Sequence, residues 1–286
     1  LFNSSCMKDY IGGVILFDET IRQKTTLGPT IPELISKHGA IPGIKVDKGT
    51  WPCPGFNNYL MTQGLDGLKQ RCEEYFELGA KFTKWRAVIK IIDSIVPMEV
   101  IKANAYALAM YAATAQESGL VPIVEPEVLM DGDHNIEICK KTTETTLNVV
   151  FEKLNQYKVN LKSIILKPNM VVPGTGSNEN ASHDEIAEKT IYVLKKCVPN
   201  EVPGIAFLSG GQTEIESTVN LNSINQSQDL PWEITFSYGR ALQQSALNKW
   251  QGKQENIAES QKIFLHRAKM NSLAHDGNYN LGLENN

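Results

Sequence analysis

Short apolar runs recur along the chain at intervals of about 30–40 residues, and segments with helical periodicity lie between them. This alternation is typical of successive βα units, which place their strands in one parallel sheet. The pattern predicts strands over residues 11–17, 41–46, 82–91, 120–127, 163–167, 204–208 and 233–237. Helices are predicted over 65–79, 100–118, 135–153 and 183–196, the last opened by an S-x-x-E capping box at Ser182.

Two architectures contain such a sheet, an open doubly wound fold and a closed (β/α)8 TIM barrel. Neither G-x-G-x-x-G nor G-x-x-x-x-G-K-[ST], the nucleotide-binding motifs of open sheets, follows a predicted strand. Charged residues instead lie near the ends of most predicted strands: Asp18, Glu19, Lys45, Asp47, Lys84, Arg86, Glu125, Glu127, Lys167 and Arg240. Because barrels build their active sites at the carboxyl ends of their strands, this distribution favours the TIM barrel.

The expected domain organisation is a single α/β barrel domain over residues 1–286, with seven of its eight strands visible. Since the first predicted strand begins almost at the start of the sequence, we expect a first βα unit to be missing from it. Residues 270–286 are predicted to be a partly flexible C-terminal segment.

Composition excludes several classes of partner. The 286 residues carry a formal net charge of −4, so the chain has no basic surface for nucleic acid. The longest apolar-rich stretch, 106–115, is about half of the roughly 20 residues that a membrane span requires. Five cysteines are widely separated, without C-x-x-C or a Cys/His cluster, which indicates neither disulfides nor zinc. These observations predict a cytoplasmic protein without a membrane or nucleic-acid partner.

Lys167 ends the apolar run "SIIL" and is followed directly by Pro168, which cannot donate a hydrogen bond to a neighbouring strand. The residue therefore lies where a strand leaves the core. One interpretation is a lysine whose stem is buried and whose ammonium reaches water. The other is a functional amine.

Residue parity groups the charged residues of each predicted strand on one face of that strand, because side chains alternate between the two faces. In a barrel these faces can all point inward at the same rim. Lys84 and Arg86 share one face of their strand, and Glu125 and Glu127 share one face of theirs. Such sets could either form ion pairs that fill the mouth of the barrel or build a reactive site. In the second case, burial and a neighbouring cation favour the neutral form of Lys167, a nucleophile for carbonyl carbon. Loss of water from the resulting carbinolamine requires an acid, for which Glu125 is the leading candidate.

Two glycine-containing turns follow the last two predicted strands. They are "FLSGGQTE", with Ser209, Gly210 and Gly211, and "TFSYGRAL", with Gly239 and Arg240. Backbone N–H groups, helix N-termini and an arginine at this place in a barrel are typical of a phosphate site. The alternative is that the glycines only permit tight turns. "DGDH" at 131–134 lacks further ligands at useful spacing, so a turn is preferred there to a metal site.

Together these stretches resemble the class I, metal-independent fructose-bisphosphate aldolases. The resemblance runs in order from about residue 10 to 280 through "IGGVILFDET", "GIKVDKG", "TQGLDGL", "KWRAVIKI", "VPIVEPEVL", "DGDH", "LKPNMVVPG", "FLSGGQTE" and "PWEITFSYGRALQQSAL". It implies a TIM-barrel lyase of glycolysis and gluconeogenesis that reversibly cleaves fructose 1,6-bisphosphate into dihydroxyacetone phosphate and glyceraldehyde 3-phosphate. It also implies no metal or other cofactor, a phosphorylated sugar substrate, and a cytosolic homotetramer.

The resemblance also implies roles for individual residues. Lys167 corresponds to the Schiff-base lysine and Glu125 to the general acid/base. Lys84 and Glu127 are similar to residues that assist proton transfer and position Lys167. The remaining expected substrate ligands fall into two sets: Lys45 and Arg86 for the phosphate far from the carbonyl, and Ser209, Gly210, Gly239 and Arg240 for the phosphate near it.

Two departures from the family pattern leave alternatives. The sequence has no counterpart of the family's A-D-E-S-type first strand, and it ends in "NYNLGLENN" rather than in the family's terminal tyrosine, so Tyr279 is not assigned that role. We expect a shortened form of an active enzyme. The alternatives are a catalytically impaired aldolase-like scaffold that binds a protein partner, or another Schiff-base barrel such as a transaldolase or a deoxyribose-phosphate aldolase.

Overall fold

Seven parallel strands form one sheet in the computed structural model, which describes residues 2–4, 6–227 and 229–285. In spatial order they are β1 (Gly13–Leu16), β2 (Ile41–Lys45), β5 (Phe82–Ile89), β6 (Val121–Val128), β7 (Ile165–Leu166), β8 (Gly204–Phe207) and β9 (Glu233–Phe236). Each lies within or closely overlaps a predicted strand, so the predicted parallel sheet is confirmed. Its spatial order follows the chain without the reversal that defines a doubly wound fold, which decides against the open alternative.

A two-stranded antiparallel hairpin, β3 (Thr50–Cys53) and β4 (Phe56–Thr62), follows β2 and was not predicted. Two prolines and a glycine interrupt this stretch, so the sequence lacks the uninterrupted alternation typical of a strand. Asn104 holds the hairpin against the fold: its side-chain amide donates to the Leu60 carbonyl at 2.9 Å, and its oxygen accepts from the Thr62 N–H at 3.3 Å.

Helices connect the strands of the sheet. They are α1 (Cys6–Tyr10), α2 (Asp18–Ile21), α3 (Ile31–Lys37), α4 (Leu68–Glu77), α5 (Met98–Glu117), α6 (Ile136–Gln156), α7 (His183–Cys197), α8 (Glu214–Asn225), α9 (Arg240–Trp250) and α10 (Ile257–His275). Short 3-10 helices cover Leu161–Ser163, Gln254–Asn256 and Leu281–Asn285. The four predicted helices correspond to α4, α5, α6 and α7, and the Ser182 hydroxyl caps α7 by accepting from the Glu185 N–H.

The sheet is curled. Helix α10 packs on α1, which leads into β1, and also on β9, so it draws the two edge strands of the sheet towards each other. The outward face of the sheet supplies the core: Trp85 is fully buried and stacks on Tyr111 of α5, with ring centroids 5.5 Å apart. This arrangement confirms the α/β, TIM-barrel interpretation.

The end of the described chain is anchored to α10. Glu284 accepts hydrogen bonds from the Tyr279 hydroxyl at 2.7 Å and from Arg267 at 2.5 Å, and its carboxylate also contacts His266 at 2.9 Å. Partial flexibility over 270–286 stays a prediction, as does the single-domain assignment. Over the described residues, no helix combines the length and apolar character needed to cross a membrane.

Candidate active site

The register of the sheet brings the predicted charged residues onto one face. Lys45 on β2 is level with Lys84 on β5, and Arg86 is level with Glu125 on β6. Side chains at level positions of parallel neighbours point to the same side of a sheet. The residues between them, such as Trp85, point to the helices, as the parity of the sequence predicted.

Glu125 lies between two buried lysines. Its carboxylate oxygens are each 3.0 Å from an ammonium nitrogen, one from Lys167 and the other from Lys84. The three residues are only 3%, 7% and 8% exposed, in the order Glu125, Lys167, Lys84. A single buried carboxylate therefore neutralises two ammonium groups only in part, and the trio carries an excess positive charge within the fold.

The surroundings set the protonation of this trio. Burial is the main cause that lowers the pKa of Lys167; the nearby Glu125 carboxylate opposes this, while the Lys84 ammonium lowers the pKa further. Burial alone would raise the pKa of Glu125, but the two ammonium groups outweigh it and hold that pKa below its ordinary value. Lys167 thus releases a proton more readily than an exposed lysine, and Glu125 stays ionised beside it.

Two further cations at the same end of the sheet are already paired with carboxylates. Lys45 forms an ion pair with Asp47, and Arg86 forms one with Glu127. Burial disfavours the Arg86 charge, yet its hydrogen bond to Glu127 raises the pKa of the guanidinium. The Arg86 guanidinium therefore remains charged in the substrate-free protein.

Asp47 is a site residue for which no role follows from the sequence. Besides pairing with Lys45, its carboxylate accepts from the Gly49 N–H at 3.1 Å and from the Arg86 N–H at 3.2 Å. It therefore joins the end of β2 to β5 between the two cations. Its position two residues after Lys45, on the same strand face, was the signal available in the sequence.

The two glycine turns lie at the carboxyl ends of β8 and β9. Gly210 has a φ of +60°, a conformation that glycine adopts without strain, and the turn is closed by a 3.0 Å bond from the Gln212 N–H to the Ser209 carbonyl. Gly239 is the N-terminal capping residue of α9, and Arg240 is the first residue of that helix. Both turns thus lead directly into helix N-termini.

Residues 131–134 contain a bend, in agreement with the turn predicted from the sequence. The Gly174 N–H donates to the His134 carbonyl at 2.8 Å, and the Gly176 N–H donates to the Gly132 carbonyl at 2.8 Å, so this loop pairs with the segment that follows β7. Within the described ranges, no group of three or more His, Cys, Asp or Glu side chains is arranged to hold a metal ion.

Fold and site together define a class of protein: a parallel (β/α)-barrel enzyme whose charged side chains converge at the carboxyl ends of its strands, around a buried lysine. Comparison with known proteins agrees with this class. The family model described as "Fructose-bisphosphate aldolase class-I" matches residues 1–286.

Individual proteins show the same likeness. A "Probable fructose-bisphosphate aldolase class 1" of Xylella fastidiosa is 54% identical over 275 residues, which are 96% of this chain and 82% of that protein. "Fructose-bisphosphate aldolase 4, cytosolic" of Arabidopsis thaliana is 51% identical over 280 residues, 98% of this chain and 71% of that protein.

A solved structure of fructose-bisphosphate aldolase from Plasmodium falciparum, in complex with TRAP and a small-molecule inhibitor, superposes with a TM-score of 0.96 at 46% identity. The superposition covers 98% of this chain and 81% of that one. The chain belongs to the class I fructose-bisphosphate aldolase family. This membership confirms the resemblance drawn from the sequence motifs and decides against a transaldolase or a deoxyribose-phosphate aldolase.

Proposed function

We propose that this chain reversibly cleaves fructose 1,6-bisphosphate into dihydroxyacetone phosphate and glyceraldehyde 3-phosphate through an imine on Lys167. Membership of the class I aldolase family supports the reaction. The observation that carries the mechanism is the carboxylate of Glu125, placed 3.0 Å from the ammonium groups of both Lys167 and Lys84. The reaction belongs to glycolysis and gluconeogenesis.

The trio supplies the groups that imine formation requires. The neutral Lys167 amine attacks the ketone carbon and gives a carbinolamine, and the carbinolamine loses its hydroxyl as water when an acid protonates that oxygen. Glu125 supplies this acid: it takes up the proton that the Lys167 ammonium releases across their 3.0 Å contact and passes it to the carbinolamine hydroxyl. The protonated imine takes up the electron pair of the C3–C4 bond as it breaks; the C4 hydroxyl gives up its proton, and glyceraldehyde 3-phosphate leaves as the aldehyde. The enamine stays attached to Lys167 until a proton at C3 returns it to the imine, which water hydrolyses to release dihydroxyacetone phosphate and the free amine. Lys84 and Glu127 assist the proton transfers of these steps, so that Lys167 and Glu125 return to their starting protonation states for the next turnover.

We assign the substrate phosphates to the two groups of residues at the strand ends. Lys45 and Arg86 bind the phosphate distant from the carbonyl. The carboxylates paired with these cations balance their charge while the site is empty. Ser209, Gly210, Gly239 and Arg240 bind the other phosphate through turn N–H groups, helix N-termini and one guanidinium.

We also propose that the reaction requires no cofactor, because the lysine imine supplies the electron-withdrawing group. The class I family is metal-independent, and a protonated imine withdraws electrons from the breaking bond as a metal ion would. For assembly and localisation, we propose a cytoplasmic homotetramer; cytosolic isozymes occur among the relatives. Light scattering of the purified protein tests the tetramer.

Borohydride trapping tests the mechanism. Incubation with dihydroxyacetone phosphate and sodium borohydride should add one substrate-derived group to Lys167, located by peptide mass spectrometry, and should abolish cleavage activity. A chelator should leave the rate unchanged. Lys167→Ala should trap nothing, while Lys162→Ala, which changes an exposed lysine before β7, should trap at the normal rate. Capture of substrate by Lys167→Ala would refute the assignment of Lys167 as the imine-forming residue. A wild-type protein that neither traps nor cleaves substrate would favour the catalytically impaired aldolase-like scaffold.

A further inference from the structure

The strand that carries Lys167 is unusually short. Strand β7 has two residues, Ile165 and Leu166, paired with Ile123 and Val124 of β6. One more backbone bond follows, from the Lys167 N–H to the Val124 carbonyl at 2.8 Å. Beyond that point β6 continues for four residues to Val128 without a paired residue on β7.

A proline on β6 explains why the ladder between β6 and β7 ends there. In a parallel strand every second residue turns its N–H and carbonyl towards the same neighbour, so Val124, Pro126 and Val128 face β7. Pro126 has no N–H to donate to the Lys167 carbonyl, which is the next acceptor of this ladder. Pro168 faces β8 instead, where its carbonyl accepts the Leu208 N–H at 3.2 Å. The ladder therefore opens at the level of the catalytic side chains, and Val128 is left with an N–H that faces the gap.

The side chain of Asn169 closes this gap. Its Oδ1 accepts the Val128 N–H at 3.0 Å, and its Nδ2 donates to the Thr143 hydroxyl of α6 at 3.1 Å and to the Met170 carbonyl at 3.0 Å. Asn169 is only 5% exposed. The carboxamide therefore makes three good hydrogen bonds in a dry environment, to the neighbouring strand, to the helix behind it and to its own loop.

We propose that Asn169 is a positioning residue for the reaction, whose carboxamide joins β6 to the loop after Lys167 beyond the bond that Pro126 removes, and thereby holds Lys167 at its distance from Glu125. The Lys167–Glu125 contact lies between the backbone bond at Val124 and the side-chain bond at Val128. With both bonds in place, the two strand ends cannot separate or slide. Loss of the second bond frees the loop after Lys167 to move by a fraction of an ångström or more.

This inference rests on the proposed imine at Lys167, and the rate of that step is the measurement. In Asn169→Ala we expect the single-turnover rate of borohydride trapping and kcat to fall together by about ten- to 100-fold, the scale expected for a displacement of roughly 1 Å at a reacting group. KM for fructose 1,6-bisphosphate should change by less than about threefold, because the proposed phosphate ligands are untouched.

Two variants separate positioning from stability. Asn222→Ala removes another buried asparagine, whose Oδ1 accepts the Tyr279 N–H at 2.9 Å on the outer side of the fold. It should lower the melting temperature about as much as Asn169→Ala but leave the trapping rate unchanged. Asn169→Asp keeps an acceptor for the Val128 N–H, and we expect it to recover most of the trapping rate; this comparison also decides the matter if Asn169→Ala does not fold.

The outcomes distinguish the inference from the mechanism beneath it. Wild-type protein that traps no substrate would overturn the imine itself. Normal trapping in Asn169→Ala, or a trapping rate in Asn169→Asp far below the wild-type rate, would overturn the role of the Val128 bond while leaving the imine intact. Equal losses of trapping in Asn222→Ala and Asn169→Ala would show that only stability had changed.

Discussion

Removal of Lys84 should lower the fraction of Lys167 that is neutral at neutral pH, and therefore the rate at which Lys167 makes the proposed attack on substrate. The Lys84 ammonium lowers the pKa of Lys167 and at the same time shares the Glu125 carboxylate with it. In Lys84→Met the like charge disappears, and Glu125 serves Lys167 alone. Both changes stabilise the Lys167 ammonium, so its pKa rises and the neutral amine becomes scarcer.

The structure gives the size of the effect. Each ammonium nitrogen is 3.0 Å from a different oxygen of the same carboxylate. If the two nitrogens are taken as roughly 6 Å apart, Coulomb's law with an effective dielectric constant of about 20 gives a repulsion of about 3 kcal/mol. Since 1.36 kcal/mol corresponds to a factor of ten in proton affinity, the neutral fraction of Lys167 should fall by about 100-fold.

The assay is the pH dependence of borohydride trapping in a single turnover. In Lys84→Met the trapping rate at pH 7 should drop by about 100-fold, and it should recover as the pH is raised, because the neutral amine then returns. Lys162→Met removes an exposed lysine at the other end of β7 and should leave the profile in place. A Lys84→Met profile that coincides with that of the wild type, or lies at lower pH, would refute the electrostatic account.

Three further predictions concern packing and stability. Trp85→Ala removes a fully buried indole and should lower the free energy of unfolding in urea by about 3–5 kcal/mol; a loss below about 1 kcal/mol would mean that its neighbours refill the space. Gly174→Ala would place a Cβ atom well inside van der Waals contact with the Gly132 carbonyl, so the same titration should show a loss of about 1–3 kcal/mol, and an unchanged midpoint would contradict this. Burial would raise the pKa of Glu284, but its hydrogen bonds, first among them that from Arg267, outweigh burial and lower this pKa. The wild type should therefore have a higher melting temperature than Glu284→Gln at neutral pH. This difference should shrink as the pH falls below about 4.3 towards the lowered pKa, because the carboxylate is then protonated. A melting difference independent of pH would argue against that role for the carboxylate.

Much of the fold could be predicted from the sequence because its signals are local. Apolar runs bounded by turn residues predicted all seven strands of the sheet, and helical periodicity predicted α4 to α7. The hairpin β3–β4 was missed because Pro52, Pro54 and Gly55 interrupt it. What stabilises the hairpin lies outside it, in the bonds from Asn104 on α5, and no local pattern reports a partner about 40 residues away.

The site divides in the same way. The identity of its residues, and the face of the strand on which each lies, follow from the order of amino acids, because alternation along a strand is a property of the backbone itself. The sequence alone therefore placed Lys84 with Arg86, and Glu125 with Glu127, on one face of their strands. Family motifs then supplied their expected roles.

Tertiary structure decided how those groups pair. Glu125 bridges two lysines, while Asp47 and Glu127 neutralise the other two cations. These choices depend on the register between strands that are distant in sequence, and on the water that packing removes around them. The protonation states of the site depend on both the strand register and the exclusion of water, because the energy of a charge depends on its distance to other charges and on the surrounding medium. Neither that distance nor that medium can be derived from the order of residues along the chain.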